Sequence, residues 1–170
     1  MNTGGTLLLS GGGNRISDTA GVALGGGTFR TAGLSETVGA LTLSVSSIID
    51  FGASASANSL IFAPSAGAWT GTLSIYHWTG APFTGGGPDH LFFGTDDTGL
   101  NAGQLGQISF FSGPGTGFLG VGGFLGTGEV VPVPEPSAVA VAIGLAGLVA
   151  GRERSRVVKR RQCSGLAAGR

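Results

Sequence analysis

Short apolar runs, separated by clusters of Gly, Ser, Asn and Asp, fill the first eighty residues of this chain. In Leu41-Thr42-Leu43-Ser44-Val45 apolar and polar positions alternate strictly, which places Leu41, Leu43 and Val45 on one face of a strand. Leu73 and Ile75 repeat the pattern, with Thr72, Ser74 and Tyr76 on the opposite face. The runs predict strands at Thr6–Ser10, Gly27–Thr31, Ala40–Ser46, Ile48–Phe51, Ser59–Ala63 and Gly71–His77. Leu91–Phe93 and Gln107–Phe111 are two further strand candidates. From residue 28 onward the runs begin every 8–12 residues, a spacing shared by β-sandwiches, barrels and solenoids.

Three features favour a parallel β-helix or β-solenoid over residues 1–130. Gly11-Gly12-Gly13-Asn14 and Gly25-Gly26-Gly27 suit sharp corners that need positive φ. The outward positions are Ser and Thr in place of Lys and Glu, and aromatic residues are scarce before Trp69. Phe110, Phe111, Phe118 and Phe124 are candidates to close one end of a stacked core, as terminal repeats must. A sandwich stays open as the alternative, because strand spacing alone does not separate the two.

Beyond the β region the pattern changes three times. Residues 131–137 carry prolines at alternating positions, Pro132, Pro134 and Pro136, which forbid a helix and predict an extended linker. Residues 137–151 run for fifteen positions without a charge, at about 22 Å as a helix short of a ~30 Å hydrocarbon core. Residues 152–170 are basic. The Pro-rich entry and the basic stop predict a transmembrane helix over 138–151 with its C-terminal end in the cytoplasm.

Composition narrows the function classes. The chain has 170 residues, of which 35 are Gly and 7 Pro, and only 11% are charged, against about 25% in ordinary globular proteins. So few charges argue against a helical bundle, a nucleic-acid binder and a typical soluble enzyme. The formal net charge of zero hides two halves. Residues 1–135 hold two basic against eight acidic side chains, and residues 136–170 hold seven basic against one acidic. That asymmetry predicts a tail with a membrane partner. Cys163 is the only cysteine, which rules out an intrachain disulfide and a cysteine-based metal cluster. Met1–Ser10 has no basic n-region and only Leu7-Leu8-Leu9 as an apolar stretch, so it does not read as a signal peptide. The expectation is an export signal and further β repeats upstream of this chain.

The strongest constellation is Val133-Pro134-Glu135-Pro136-Ser137, then the apolar run, then Arg152-Glu153-Arg154-Ser155-Arg156. It resembles the PEP-CTERM sorting signal of Gram-negative bacteria. The resemblance implies recognition and cleavage by exosortase, a membrane-associated transpeptidase. It assigns Pro134, Glu135 and Pro136 as the sorting motif. Arg152, Arg154, Arg156, Lys159, Arg160 and Arg161 become the retention charges. The physics agrees: two prolines hold Glu135 in an extended backbone, the form a protease cleft binds most readily. The upstream Gly-Thr-Leu-rich stretch resembles autotransporter-associated β-strand repeat proteins, with no catalytic residue to carry over.

Other candidate chemistry is weak. Thr84-Gly85-Gly86-Gly87-Pro88-Asp89-His90-Leu91 nearly fits a calcium-binding nonapeptide, but such sites need stacked copies and the chain has one. His77 and His90 are not in a metal-ligand spacing, and no Gly-x-Ser-x-Gly elbow supports a Ser-His-Asp triad. No catalytic residue, metal or cofactor is therefore expected. The expected role is that of a structural or adhesive surface or matrix protein. Its expected partners are an exosortase, the inner membrane and extracellular polysaccharide, with no nucleic acid. Two rivals are a carbohydrate-binding module using Trp69, Trp78 and the Asp96-Asp97 turn, and the non-catalytic end of a secreted hydrolase.

Overall fold

A computed structural model of the chain describes residues 1–54 and 56–134. Met1–Pro134 forms one compact unit. It holds twelve strands and one short helix: β1 (Thr6–Leu8), β2 (Val22–Gly25), β3 (Thr28–Arg30), β4 (Glu36–Val38), β5 (Leu41–Val45), β6 (Ser47–Asp50), β7 (Asn58–Phe62), β8 (Leu73–Tyr76), β9 (Asp89–Phe93), α1 (Ala102–Gly106), β10 (Ile108–Gly113), β11 (Thr116–Phe124) and β12 (Val130–Val133). They make a seven-stranded sheet in the order β1-β3-β6-β8-β10-β11-β12, a three-stranded sheet β4-β7-β9 and a pair β2-β5.

The core follows from register. Phe29, Ile49, Ile75 and Phe110 are partners across β3, β6, β8 and β10, and all four are fully buried. In the three-stranded sheet Glu36, Leu60 and Leu91 align, as do Val38, Phe62 and Phe93. The rings of Phe62 and Phe93 stack at 5.0 Å, and Phe29 meets Phe62 edge-on at 6.5 Å, which joins the two sheets. Period-2 alternation thus decides which side chains leave water. Six of the seven positions expected to face inward do so: Leu41, Leu43, Leu60, Phe62, Leu73 and Ile75. Val45 does not; it is 49% exposed, because the β2–β5 register slips between Leu24 and Gly25 and pairs Gly25 with Val45.

The expected parallel β-solenoid is not the architecture that forms. The molecule is mainly β, but its large sheet is mixed and no closed solenoid exists. Pairing is parallel from β1 to β10 and turns antiparallel for β10–β11 and β11–β12. Pro114-Gly115 between Gly113 and Thr116 causes the reversal: proline presets the first turn position and Gly115, at φ +64°, takes the left-handed second one. The second reversal uses Gly128 at φ +80°, with the Leu125 amide donating to the Glu129 carbonyl. The three sheets hold seven, three and two strands, so successive turns of the chain do not contribute one strand to each. A sandwich of antiparallel sheets does not form either, since the two smaller sheets are parallel throughout.

Val130–Val133 needs the same correction. Its backbone is extended as the prolines require, yet it is a strand paired with β11, with Val130 and Val131 buried. As the outermost strand of the sheet, β12 tolerates Pro132, which has no amide to donate. Of the four phenylalanines expected to close the core, Phe110 is buried, Phe124 packs partly against the core and Phe118 is 51% exposed. Among the described residues no helix is long and apolar enough to cross a membrane. The transmembrane helix expected over 138–151 falls outside them.

Candidate functional site

Polar chemistry collects where strands end. In β3, β6 and β8 the residue after the last buried position is Arg30, Asp50 and Tyr76, and register sets the three side by side. Arg30 Nε lies 3.5 Å from Asp50 Oδ2. His77 follows Tyr76 with φ +55°, a left-handed conformation costly for a residue with a Cβ. Its Nδ1 donates to Asp50 Oδ1 at 2.7 Å, and the same oxygen accepts the Gly52 amide at 2.8 Å. Asp50 therefore orients the imidazole, because a carboxylate only accepts and so places the proton on Nδ1.

An open depression of about 410 Å³ lies over His77, lined also by Ala53, Ser54, Thr79, Pro88 and Ser112. Its rim is rich in hydroxyls. Next in sequence to His77 and Ser112 stand Tyr76 and Phe111, whose rings meet at 5.6 Å, and Phe111 meets Phe118, its partner across β10–β11, also at 5.6 Å.

A second polar group is interior. Asp89 is buried at the start of β9. Its Oδ1 accepts from Asn58 Nδ2 at 2.6 Å, and its Oδ2 from the Thr79 amide at 2.9 Å and the Thr79 hydroxyl at 2.5 Å. Asn58 Oδ1 in turn accepts from the buried Thr31 hydroxyl at 3.2 Å. Burial pushes the Asp89 carboxyl above the ordinary carboxylate range, against the opposing pull of the Thr79 hydrogen bonds and of His90. Next to it, His90 Nδ1 contacts the buried Glu129 Oε1 at 2.7 Å. A third buried carboxylate, Glu36, accepts the amides of Arg15 at 2.8 Å and Ile16 at 3.0 Å. These carboxylates tie loops to strands.

The residues singled out from sequence fare unequally. Pro134 is the last described residue and closes the compact unit. Glu135 and Pro136 lie outside the described residues, as do Arg152, Arg154, Arg156, Lys159, Arg160 and Arg161. Trp69 and Trp78 are 7% and 2% exposed. Trp78 packs edge-on against Phe51 and Phe110, so the pair offers no stacking surface to a sugar. In the nonapeptide-like segment the carboxylate oxygens of Asp89 are taken by protein donors. Among the described residues no three His, Cys, Asp or Glu side chains group to hold a metal ion. Asp96 caps its own turn: the Thr98 hydroxyl and amide donate to it and hold its carboxyl below the usual range.

The grouping of Arg30, Asp50 and His77 escaped the sequence reading, which took His77 as a plain strand-end residue. Aligning the runs on Phe29, Ile49 and Ile75 would have set Arg30, Asp50 and Tyr76 in one row. Comparison of the chain with family models, with curated proteins and with solved structures gives no match.

Proposed function

We propose that this protein is an exported structural or adhesive component of the cell surface or extracellular matrix, delivered there by a C-terminal sorting signal. One observation carries the reading: the order and spacing of Pro134-Glu135-Pro136, the uncharged run 137–151 and six basic residues between Arg152 and Arg161. The place of the motif supports it, since the compact unit ends at Pro134 and the motif begins there. A sorting enzyme binds an extended segment, and a sequence with proline on either side of Glu135 favours that backbone form. The expected partner is an exosortase-type transpeptidase at the inner membrane, where the tail holds the protein before processing. The chemistry is done to this chain by its partner. A surface of few charges and many hydroxyls suits a matrix component that does not compete for ionic partners.

The test is to place the chain behind a signal peptide in an exosortase-bearing host and follow its mass. Loss of the segment after the motif, blocked by Glu135→Ala, is the expected result. Persistence of the full-length product, unchanged by Glu135→Ala, would reduce the motif to a stiff linker.

A further inference from the structure

The geometry points to the depression over His77 as a binding site for an uncharged, hydroxyl-rich ligand, a saccharide unit whose chain continues along the Tyr76–Phe111–Phe118 row. The inference deepens the adhesive reading and rests on it, because it names what a matrix protein of this kind would hold.

Four observations carry it. First, the depression is of ligand size: its volume of about 410 Å³ falls within the ~300–1,000 Å³ usual for ligand pockets. Second, its polar lining is of one kind, the hydroxyls of Ser54, Thr79 and Ser112 around one imidazole. The Thr79 hydroxyl gives its proton to Asp89 and so offers a ligand an acceptor, while the Ser54 and Ser112 hydroxyls can donate to one. Third, His77 is pre-set. With the proton held on Nδ1 by Asp50, Nε2 is an acceptor, and it has no partner among the described residues. The fold tolerates a left-handed φ at His77 to place the ring there.

Fourth, the surroundings select against charge and favour a chain. Arg30 and Asp50 compensate each other at 3.5 Å, which leaves the site no net charge to attract an ion. Beyond the rim, Tyr76, Phe111 and Phe118 stand on three adjacent strands at ring spacings of 5.6 Å. Each ring meets the next edge-on, at interplanar angles of 80° and 61°, so the three form an apolar ridge whose ring faces alternate in direction. Phe118, 51% exposed, adds accessible apolar surface to that row.

The experiment titrates the purified full chain with neutral linear tetrasaccharides of glucose, mannose, galactose and N-acetylglucosamine, with the corresponding monosaccharides, and with a uronic-acid tetramer. It follows binding by calorimetry and the His77 ring nitrogens by NMR. At least one series should bind and shift the His77 Nε2 resonance. His77→Ala should weaken that binding about tenfold or more, the loss of a buried hydrogen bond to a ligand. Ser54→Leu, which fills the depression without touching the Asp50 pair, should weaken it equally, and Phe118→Ala should weaken the tetrasaccharide more than the monosaccharide. Circular dichroism of each variant separates loss of binding from loss of fold. No binding by any of the four would overturn the inference. So would binding indifferent to both His77→Ala and Ser54→Leu, or binding only of a uronic-acid oligomer. A chain that is cleaved at its motif yet binds no glycan sinks this inference alone. A chain that binds glycan yet is never cleaved sinks only the sorting reading.

Discussion

Asn58 donates from Nδ2 to Asp89 Oδ1 at 2.6 Å, across partner positions of the parallel strands β7 and β9. The pair sits where β7 and β9 begin, and it connects two otherwise separate loops. Thr31, after β3, donates to Asn58, and Thr79, after β8, donates twice to Asp89. One buried carboxylate thereby fastens the seven-stranded sheet to the three-stranded one.

Removing the amide should expose how much that fastening matters. Asn58→Ala leaves Asp89 Oδ1 one donor short in a buried setting and leaves the Thr31 hydroxyl only the Phe51 carbonyl to donate to. A buried polar group without its partner costs about 1–3 kcal/mol, and more when it is charged. Chemical denaturation should therefore show a loss of at least that size, while Ser10→Ala, at an exposed position, should stay close to wild type. Equal stability of Asn58→Ala and wild type would mean that the network is incidental.

Acidity reads the same group with a definite sign. The folded-state pKa of Asp89 is raised, mainly by burial, so the folded protein binds this proton more tightly than the unfolded chain. Stability contributed by that proton is present below the ordinary carboxylate pKa. It is lost as pH rises through the folded value, since ∂ΔG/∂pH of unfolding follows protons bound in the unfolded minus the native state. Across that interval the stability of wild type relative to Asp89→Asn should fall with rising pH. A difference that rises with pH there would show Asp89 to be a stabilising ion at its site.

Ile75 tests the main ladder. It lies between Ile49 and Phe110 in register and is fully buried. Ile75→Ala should cost about 2–5 kcal/mol in unfolding free energy, because a cavity opens between neighbours that β-structure holds apart. Val45→Ala, on the same kind of alternating strand but 49% exposed, should cost well under 1 kcal/mol. Similar losses for the two variants would contradict the slipped β2–β5 register.

How far the sequence could be read depended on the range of the forces involved. Alternation is a local property, so the strands carrying Leu41, Leu60, Leu73 and Phe110 and their buried faces were legible. β2 and β4 escaped, because Val22-Ala23-Leu24-Gly25 and Glu36-Thr37-Val38 are too short to show a period. The burial of Glu36 has no local sign either, since its donors, the amides of Arg15 and Ile16, lie 21 and 20 positions away in the chain. Sheet direction was lost for a different reason. Pro114-Gly115 is a tight-turn signal in plain view, but a solenoid expectation favoured parallel neighbours and passed over it. The contacts His77–Asp50 and Asn58–Asp89 join residues 27 and 31 positions apart, and such distances follow from register, which composition does not encode. The Thr6–Ser10 run was also only partly right, since β1 stops at Leu8 and Leu8 is 53% exposed.

Gly120 decides whether β12 stays in the sheet. It lies in β11 at φ +147°, a conformation that side chains rarely adopt, and it is buried against the end of β12. A Cβ there would stand 2.5 Å from the Val133 carbonyl oxygen, 2.6 Å from its carbon and 2.9 Å from the Pro134 nitrogen. All three are backbone atoms, so no side-chain rotation relieves the clash. Gly120→Ala should therefore separate β12 from β11 near Val133, beyond the backbone strain of about 1–3 kcal/mol at such a φ. Hydrogen exchange at the β12 amides should accelerate, while the amides of β6 and β8 in the centre of the sheet keep their protection. Gly126→Ala, where an added Cβ meets nothing within 4 Å, is the matched control and should leave exchange unchanged. The consequence reaches the proposed sorting motif, because Pro134 directly follows β12. If the motif must be extended and free to be cleaved, Gly120→Ala should speed processing in the exosortase host, although it destabilises the fold. Processing at the wild-type rate, with β12 demonstrably released, would show that the sheet edge does not limit access to Glu135.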